Sequence, residues 1–321
     1  MGRGESVSVT NAGALARIAP APKDLLSETR TALAPMRVRL VQLRADTPAA
    51  HACSVVLALH GAAIAHNLDC ALTALDPEGP HQLRIALRRT RVALKAFEPV
   101  MRRKANARLV ETARALGRIA GESRDADVMI DEIIAPAARN ETALIGALNA
   151  WRQEVRGRVR ARLLAADAPA MAAEFANAAA AAAWLKADAG MSFADVMGMA
   201  QAEFLERAAP LAASMADLSH LELHQLRKAV KAMRYGAELA VSAGLQVAPV
   251  PRLKRIQDAL GYANDTAALE RFNPPLFGEA NALHALRARL VAERNRAVAD
   301  AIAAAIAEWD ALMRSRAAAA N

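Results

Sequence analysis

Apolar residues recur at helical spacing along most of the chain, from about residue 51 almost to the C-terminus. Turn-forming residues divide this pattern into helix-sized pieces, and no segment shows the regular alternation of a β-strand. The pattern therefore predicts an all-α fold. The predicted breaks between helices lie at 76–80, 121–123, 166–169, 217–219, 244–251, Gly261 and 273–275.

The first fifty residues differ from the rest and form a predicted N-terminal extension, partly disordered or helical. Residues 1–22 are small and polar and include two prolines, and 24–44 have an amphipathic pattern that is interrupted near Pro35. Residues 45–50 read as a short linker. We therefore divide the chain into an extension, 1–50, and a helical domain, 51–321.

Composition supports the all-α prediction and shows that the chain carries a net positive charge. Hydrophobic residues make up 54% of the chain, many of them alanine, whereas aromatic residues make up only 3%. Lys and Arg number 41 against 33 Asp and Glu, so the formal net charge is +8, which indicates an anionic partner. Only two cysteines are present, and we recognise neither a secretory signal nor an apolar span of about 20 residues, so we expect a cytoplasmic protein.

An internal repeat divides the helical domain. The sequence HQLR at 81–84 recurs at 224–227, and basic residues follow both copies at matched positions. About forty residues after each copy, LGRIAGESRDAD at 116–127 matches IQDALGYANDTA at 256–267. We therefore expect two similar helical bundles from an internal duplication, at about 51–190 and 191–321.

Each HQLR segment starts a row of basic side chains. On an α-helix the first row occupies a stripe about 80° wide, while Leu83, Leu87, Leu94 and Phe97 point elsewhere and can pack on neighbouring helices. No acidic residue occurs from 81 to 97, and stacked like charges cost stability unless an anion neutralises them. This favours a ligand-binding stripe over a solvated face. The first row is His81, Arg84, Arg88, Arg91 and Lys95; the second is His224, Arg227, Lys231 and Arg234, flanked by Lys228 and Tyr235, with Glu238 in the place of Lys95.

Two other features have a structural and a functional interpretation. Each histidine lies near a helix start, where it can pack or cap, or donate to a bound anion; the repeated context favours the anion. Asp125 and Asp127 could form a metal-binding pair, but we favour a turn in which Ser123 or Asn264 caps a helix. The chain has no recognisable nucleophile, phosphate-loop or zinc motif, and we expect neither catalysis nor a metal or cofactor.

The two HQLR segments and the segments 116–128 and 253–267 resemble the CHAD family (conserved histidine α-helical domain) from about residue 50 to the C-terminus. The resemblance implies two pseudo-symmetric four-helix bundles that enclose a basic groove or pore. It also implies binding of inorganic polyphosphate, in some members on polyphosphate granules. The family's binding positions would correspond to the two basic rows, with Arg114 and Lys254 on the following helices as weaker candidates. Beside the rows we add Lys228 as a candidate for polyphosphate binding and, in second place, Arg89 and Tyr235.

Three functions follow as hypotheses. The first is non-catalytic binding of inorganic polyphosphate, whose phosphoryl oxygens suit forked arginine side chains. The alternative is binding of RNA or DNA, although stacking platforms for bases are scarce in this chain. The third, an enzyme acting on polyphosphate or phosphate esters, would need carboxylates, a metal or a nucleophile facing the basic groove.

Overall fold

In the computed structural model the described residues are 34–39, 42–73, 78–180, 185–186, 190–276 and 278–320. Residues 34–321 form one compact unit. Its regular structure is helical, and the described residues add only two isolated β-bridges, Pro48 to Ser192 and Met101 to Leu185. The α-helices are α1 (Ala49–Thr73), α2 (Glu78–Ala96), α3 (Arg103–Asp127), α4 (Ala135–Ala137), α5 (Thr142–Ala165), α6 (Ala168–Ala180), α7 (Phe193–Ala213), α8 (His220–Val241), α9 (Val250–Arg271) and α10 (Ala280–Ala320).

Helices that follow one another in sequence also pack together. In the first part of the domain, α1 packs against α2 and α6, α2 against α3, and α3 against α5. In the second part, α7, α8, α9 and α10 pack in that order. The two parts meet where α2 contacts α8 and α7. The HQLR segments start in the first turns of α2 and α8, so this contact brings the two basic rows together.

Two hydrophobic clusters hold the helices. The larger one joins both parts of the domain and contains Leu83, Leu87, Leu94 and Phe97, which are at most 1% exposed, as their angular positions on α2 predicted. The smaller cluster lies between a π-helical segment, Val128–Ile134, and the end of α9 with the start of α10. Its residues include Ile130, Ile134, Leu269 and Leu286.

Two of the predicted helix breaks are wrong, because α3 continues through 121–123 and α9 through Gly261. The glycines there serve packing: a Cβ atom on Gly121 would lie 3.1 Å from Arg84 Nη1, and one on Gly261 would lie 3.4 Å from Arg227 Nη2. Ser123 and Asn264 are interior helix residues and cap nothing. The sequence DPEG at 76–79 predicts a helix start with Asp76 as its cap, and this aspartate lies outside the described residues.

The helix predicted for 24–44 is not confirmed. Residues 34–39 and 42–44 are not helical, and the rest of that segment lies outside the described residues. Helix α1 begins at Ala49, next to the predicted boundary of the extension. Among the described helices, α1 is the one long and apolar enough to cross a membrane, with a mean hydropathy of 1.4, but 56% of that window is buried and it packs against α2 and α6. A core helix passes the same test, so the described helices include no clear transmembrane segment.

Candidate functional site: a cation-lined pair of cavities

Two cavities flank the contact between α2 and α8. The first has a volume of about 910 Å³ and is bounded mainly by α2, α3 and α8, with α7 at one side. The second, of about 700 Å³, is bounded by α2, α3, α5, α8 and α9. The cavities have seven lining residues in common, and four of these are cations from the matched rows of the repeat. We call these four the shared cations: Arg84, Arg88, Arg227 and Lys231.

The two glycines of the repeat position two of the shared cations. Arg84 lies over Gly121 and donates to its carbonyl oxygen at 2.9 Å, and it also donates to Asp125 at 2.7 Å. Arg227 lies over Gly261 in the matched arrangement. Because glycine has no side chain, each guanidinium can lie directly against the neighbouring helix. The repeat therefore conserves a packing relation between arginine and glycine.

Burial among like charges makes Lys231 the most perturbed of these groups. Its side chain is 9% exposed, and burial lowers its pKa from 10.5 to about 6, with further lowering by Arg88, Arg227 and Arg84 and an opposing effect from Asp265. Burial also lowers the pKa values of Arg88 and Arg227. Among the described residues, neither Arg88 nor Lys231 forms an ion pair. The shared cations therefore form a group whose charge the protein compensates only in part.

The histidines of the two rows lie in the same region but differ in their contacts. His81 lines the second cavity, and its Nδ1 is buried without a hydrogen-bond partner in the described part of the chain. His224 lines both cavities, and its Nδ1 lies within hydrogen-bonding distance of Asn264 Oδ1. Burial, followed by nearby cations, lowers the pKa of each ring, although the Asn264 contact opposes this for His224. The surroundings of each ring therefore favour its neutral form, and a bound anion would oppose this effect.

The first cavity extends the basic surface beyond the shared cations. Four predicted site residues line it, namely Arg91, Lys95, Arg114 and Lys228. Lys95, however, is already paired with Glu98 and, at 3.0 Å, with Glu203. Several further cations of the two cavities were not predicted from the sequence. Arg118 follows Arg114 by one helical turn and could have been found in this way, whereas no sequence signal links α5 or α7 to the cavities. The missed lining residues are Arg103, Arg118 and Arg207 in the first cavity and Arg124, Arg158 and Arg271 in the second.

Four predicted site residues do not line either cavity. Arg89 and Arg234 both bind Glu238, at 2.6 and 2.9 Å, and both guanidinium groups lie over the ring of Tyr235. Glu238 follows Arg234 by one helical turn, so it holds this arginine away from the second basic row. Lys254 is exposed and pairs with Asp258 at 2.6 Å. The stripe on α8 thus has fewer available cations than the helical angles indicated.

The acidic motif at 124–127 is not the turn that the sequence predicts. It lies at the end of α3, where Asp127 is 1% exposed and accepts from Arg156 at 2.8 Å, with Arg152 at 3.9 Å. The described residues contain no group of three His, Cys, Asp or Glu side chains that could hold a metal ion. Asp127 therefore ties α3 to α5.

These observations define the class: an all-helical domain with a cation-lined cavity on each side of a contact between two repeated helices. The family is shown by a family model of the CHAD domain, which matches residues 55–274, and the chain belongs to this family. The resemblance found in the sequence is thereby confirmed.

Solved structures agree. The CHAD domain from the plant Ricinus communis aligns with a TM-score of 0.69 and 26% identity, over 85% of this chain and 96% of that one. PptA from Streptomyces chartreusis has the same fold, with a TM-score of 0.61 and 17% identity over 82% of this chain and all of that one. No curated protein matches the chain.

Proposed function

We propose that this domain binds inorganic polyphosphate, without catalysis, through the shared cations and the basic lining of the first cavity. We further propose that α1–α6 and α7–α10 are two bundles of an internal duplication, with the basic groove at their junction. The order in which the helices pack supports this division, because the repeated helices α2 and α8 are neighbours of α3 and α9 in matching ways. We also propose that residues 1–50 form an N-terminal extension to this domain. A cytoplasmic location and association with polyphosphate granules are part of the same proposal.

The observation that carries the proposal is the burial of Lys231 among Arg84, Arg88 and Arg227. The charged form of a lysine buried next to other cations is unfavourable in the free protein, so the site is arranged to receive negative charge. A chain of phosphates supplies closely spaced charges along the whole site and needs no other recognition. The glycines that admit Arg84 and Arg227 keep these side chains in place before the ligand arrives.

Binding of long-chain polyphosphate by the variant Arg88→Gln tests the proposal. Arg88 forms no ion pair in the described part of the chain, so its removal breaks no structural contact of that kind. One charged hydrogen bond contributes about 1.5–3 kcal/mol, so we expect affinity to fall by roughly 10- to 100-fold. The slope of log affinity against log salt should also decrease by about one.

The matched control is Lys254→Gln, which removes the same charge from the same protein but lies outside both cavities. We expect it to bind polyphosphate like the wild type. Equal losses in both variants would mean that net charge alone drives binding, and would overturn the site. RNA and DNA enter as competitors at physiological salt, and displacement of polyphosphate by either at comparable concentration would favour the nucleic-acid alternative.

A further inference from the structure

The second cavity differs from the first in its aromatic lining. Both cavities have apolar side chains beside the shared cations, but the second has two aromatic rings that form a pair, whereas the first has the single ring of Phe204. The rings of Trp151 and Phe272 lie edge to face with their centroids 5.5 Å apart, and Trp151 is only partly buried. The remaining apolar lining is Ile85, Ala126, Val128, Met129, Val155 and Ala268.

The carboxylates of the second cavity also argue against a phosphate chain as its sole occupant. Four of them line it, and they would repel phosphate there. Glu122, Asp125 and Glu132 each pair with an arginine. Asp265, however, is in no ion pair among the described residues, and it accepts one hydrogen bond, from Asn264 Nδ2 at 3.1 Å. It is therefore available to accept from a hydroxyl or amino group of a ligand.

We propose that the second cavity binds the nucleoside part of a nucleoside polyphosphate, whose phosphates lie on the shared cations. The proposal rests on the proposed function for the phosphate part only. A heterocyclic base would contact Trp151 and Phe272, and carboxylates such as Asp265 accept hydrogen bonds from ribose hydroxyls or exocyclic amines. His81 also lines this cavity, and its buried Nδ1 has no hydrogen-bond partner among the described residues. The volume of about 700 Å³ lies within the range of small-molecule sites.

The two cavities differ in charge, and this difference would fix the orientation of such a ligand. The first cavity has eleven Lys and Arg side chains and three carboxylates in its lining, whereas the second has seven and four. Positive charge is thus concentrated on the side of the first cavity, and ring-binding and acceptor groups lie on the other. A ligand that is anionic at one end and aromatic with hydroxyl groups at the other matches this polarity.

Calorimetric titration with ATP and with tripolyphosphate tests the proposal, because both ligands carry three phosphates and only ATP carries a nucleoside. Tripolyphosphate has the greater negative charge, so electrostatics alone would make it the tighter ligand. We expect ATP to bind at least as tightly. Tighter binding of tripolyphosphate would count against a nucleoside site.

The variant Asp265→Ala should change the affinities for tripolyphosphate and for ATP in opposite directions. Loss of a carboxylate next to the shared cations should strengthen binding of tripolyphosphate, whereas loss of an acceptor should weaken binding of ATP, by about tenfold. Glu270→Ala, on the same helix but in the lining of neither cavity, is the matched control and should change neither. If Asp265→Ala strengthens both ligands alike, the second cavity recognises phosphate only.

Trp151→Leu keeps an apolar side chain at this position but removes the ring, and we expect it to weaken ATP binding about tenfold and to change tripolyphosphate binding very little. Equal effects on both ligands would overturn the proposal. The proposed function fails on a different result, namely wild-type affinity for long-chain polyphosphate in Arg88→Gln. The two failures are therefore distinguishable.

Discussion

Polyphosphate binding should be coupled to proton uptake by Lys231. This lysine is buried among Arg88, Arg227 and Arg84, with Asp265 as the opposing acid, and its pKa is lowered to about 6. At pH 8 only about 1% of the free protein therefore carries a charged Lys231. A bound phosphate chain favours the charged form and should return the pKa towards 10.5. Each binding event at pH 8 should thus take up about one proton.

The magnitude follows from the separation of the two pKa values. Between about pH 7 and pH 9 the affinity should fall by up to tenfold per pH unit, or about 1.4 kcal/mol. Long-chain polyphosphate is the suitable ligand, because its internal phosphates do not titrate in this range. The assay is calorimetry in buffers of different ionisation enthalpy, which measures the number of protons taken up.

The controls are two lysine variants on α8. In Lys231→Met proton uptake at pH 8 should fall by about one proton, whereas in Lys228→Met, at an exposed lysine of the first cavity, it should stay as in the wild type. Affinity that is independent of pH between 7 and 9, or unchanged uptake in Lys231→Met, would refute the reasoning.

The same shift affects stability without ligand. Between about pH 6 and 10.5 the folded state holds fewer protons at Lys231 than the unfolded chain, so this residue makes stability rise with pH in that range. The charged form is what folding disfavours. Lys231→Met should therefore raise the free energy of unfolding at pH 7, by about a few kcal/mol, and flatten the pH dependence above pH 7. Urea unfolding at pH 7 and pH 9 measures both effects.

Three further predictions concern neighbouring groups. Glu238→Ala leaves Arg89 and Arg234 without their carboxylate and should lower the free energy of unfolding by about 3–5 kcal/mol. Urea titration would detect this loss, and stability like that of the wild type would contradict a structural role for Glu238. Gly236→Ala places a Cβ 2.7 Å from a side-chain atom of α7 and should lower the free energy of unfolding by about 1–3 kcal/mol. The control Gly198→Ala has open space around the new Cβ and should raise the free energy of unfolding by about 0.5–1 kcal/mol. A similar melting temperature for both variants would refute the packing argument. Asp125→Asn releases Arg84 and should strengthen polyphosphate binding a few-fold in an anisotropy titration, and weaker binding would show that this carboxylate orients the arginine.

Local patterns predicted most helices well, but they misjudged glycine. The pieces between proline-rich breaks became helices because apolar spacing and helix-forming residues agree there. The sequence predicts turns at Gly121 and Gly261, because a glycine inside a helix usually lowers the stability of that helix. Here the space that each leaves is filled by an arginine from the facing helix, which the sequence of one helix cannot reveal. The repeat contained the signal, because arginine and glycine recur together in both copies.

The sequence by itself determined the helical class, the duplication of the HQLR segments and the family, since these depend on periodicity and on residue identity along one helix. Only the tertiary structure decided which cations are available. Glu238 removes Arg89 and Arg234 from the site, Glu203 neutralises Lys95, and Lys231 is buried between helices distant in sequence. The physical reason is that charge compensation depends on distance and burial, and both are set by which helices pack together.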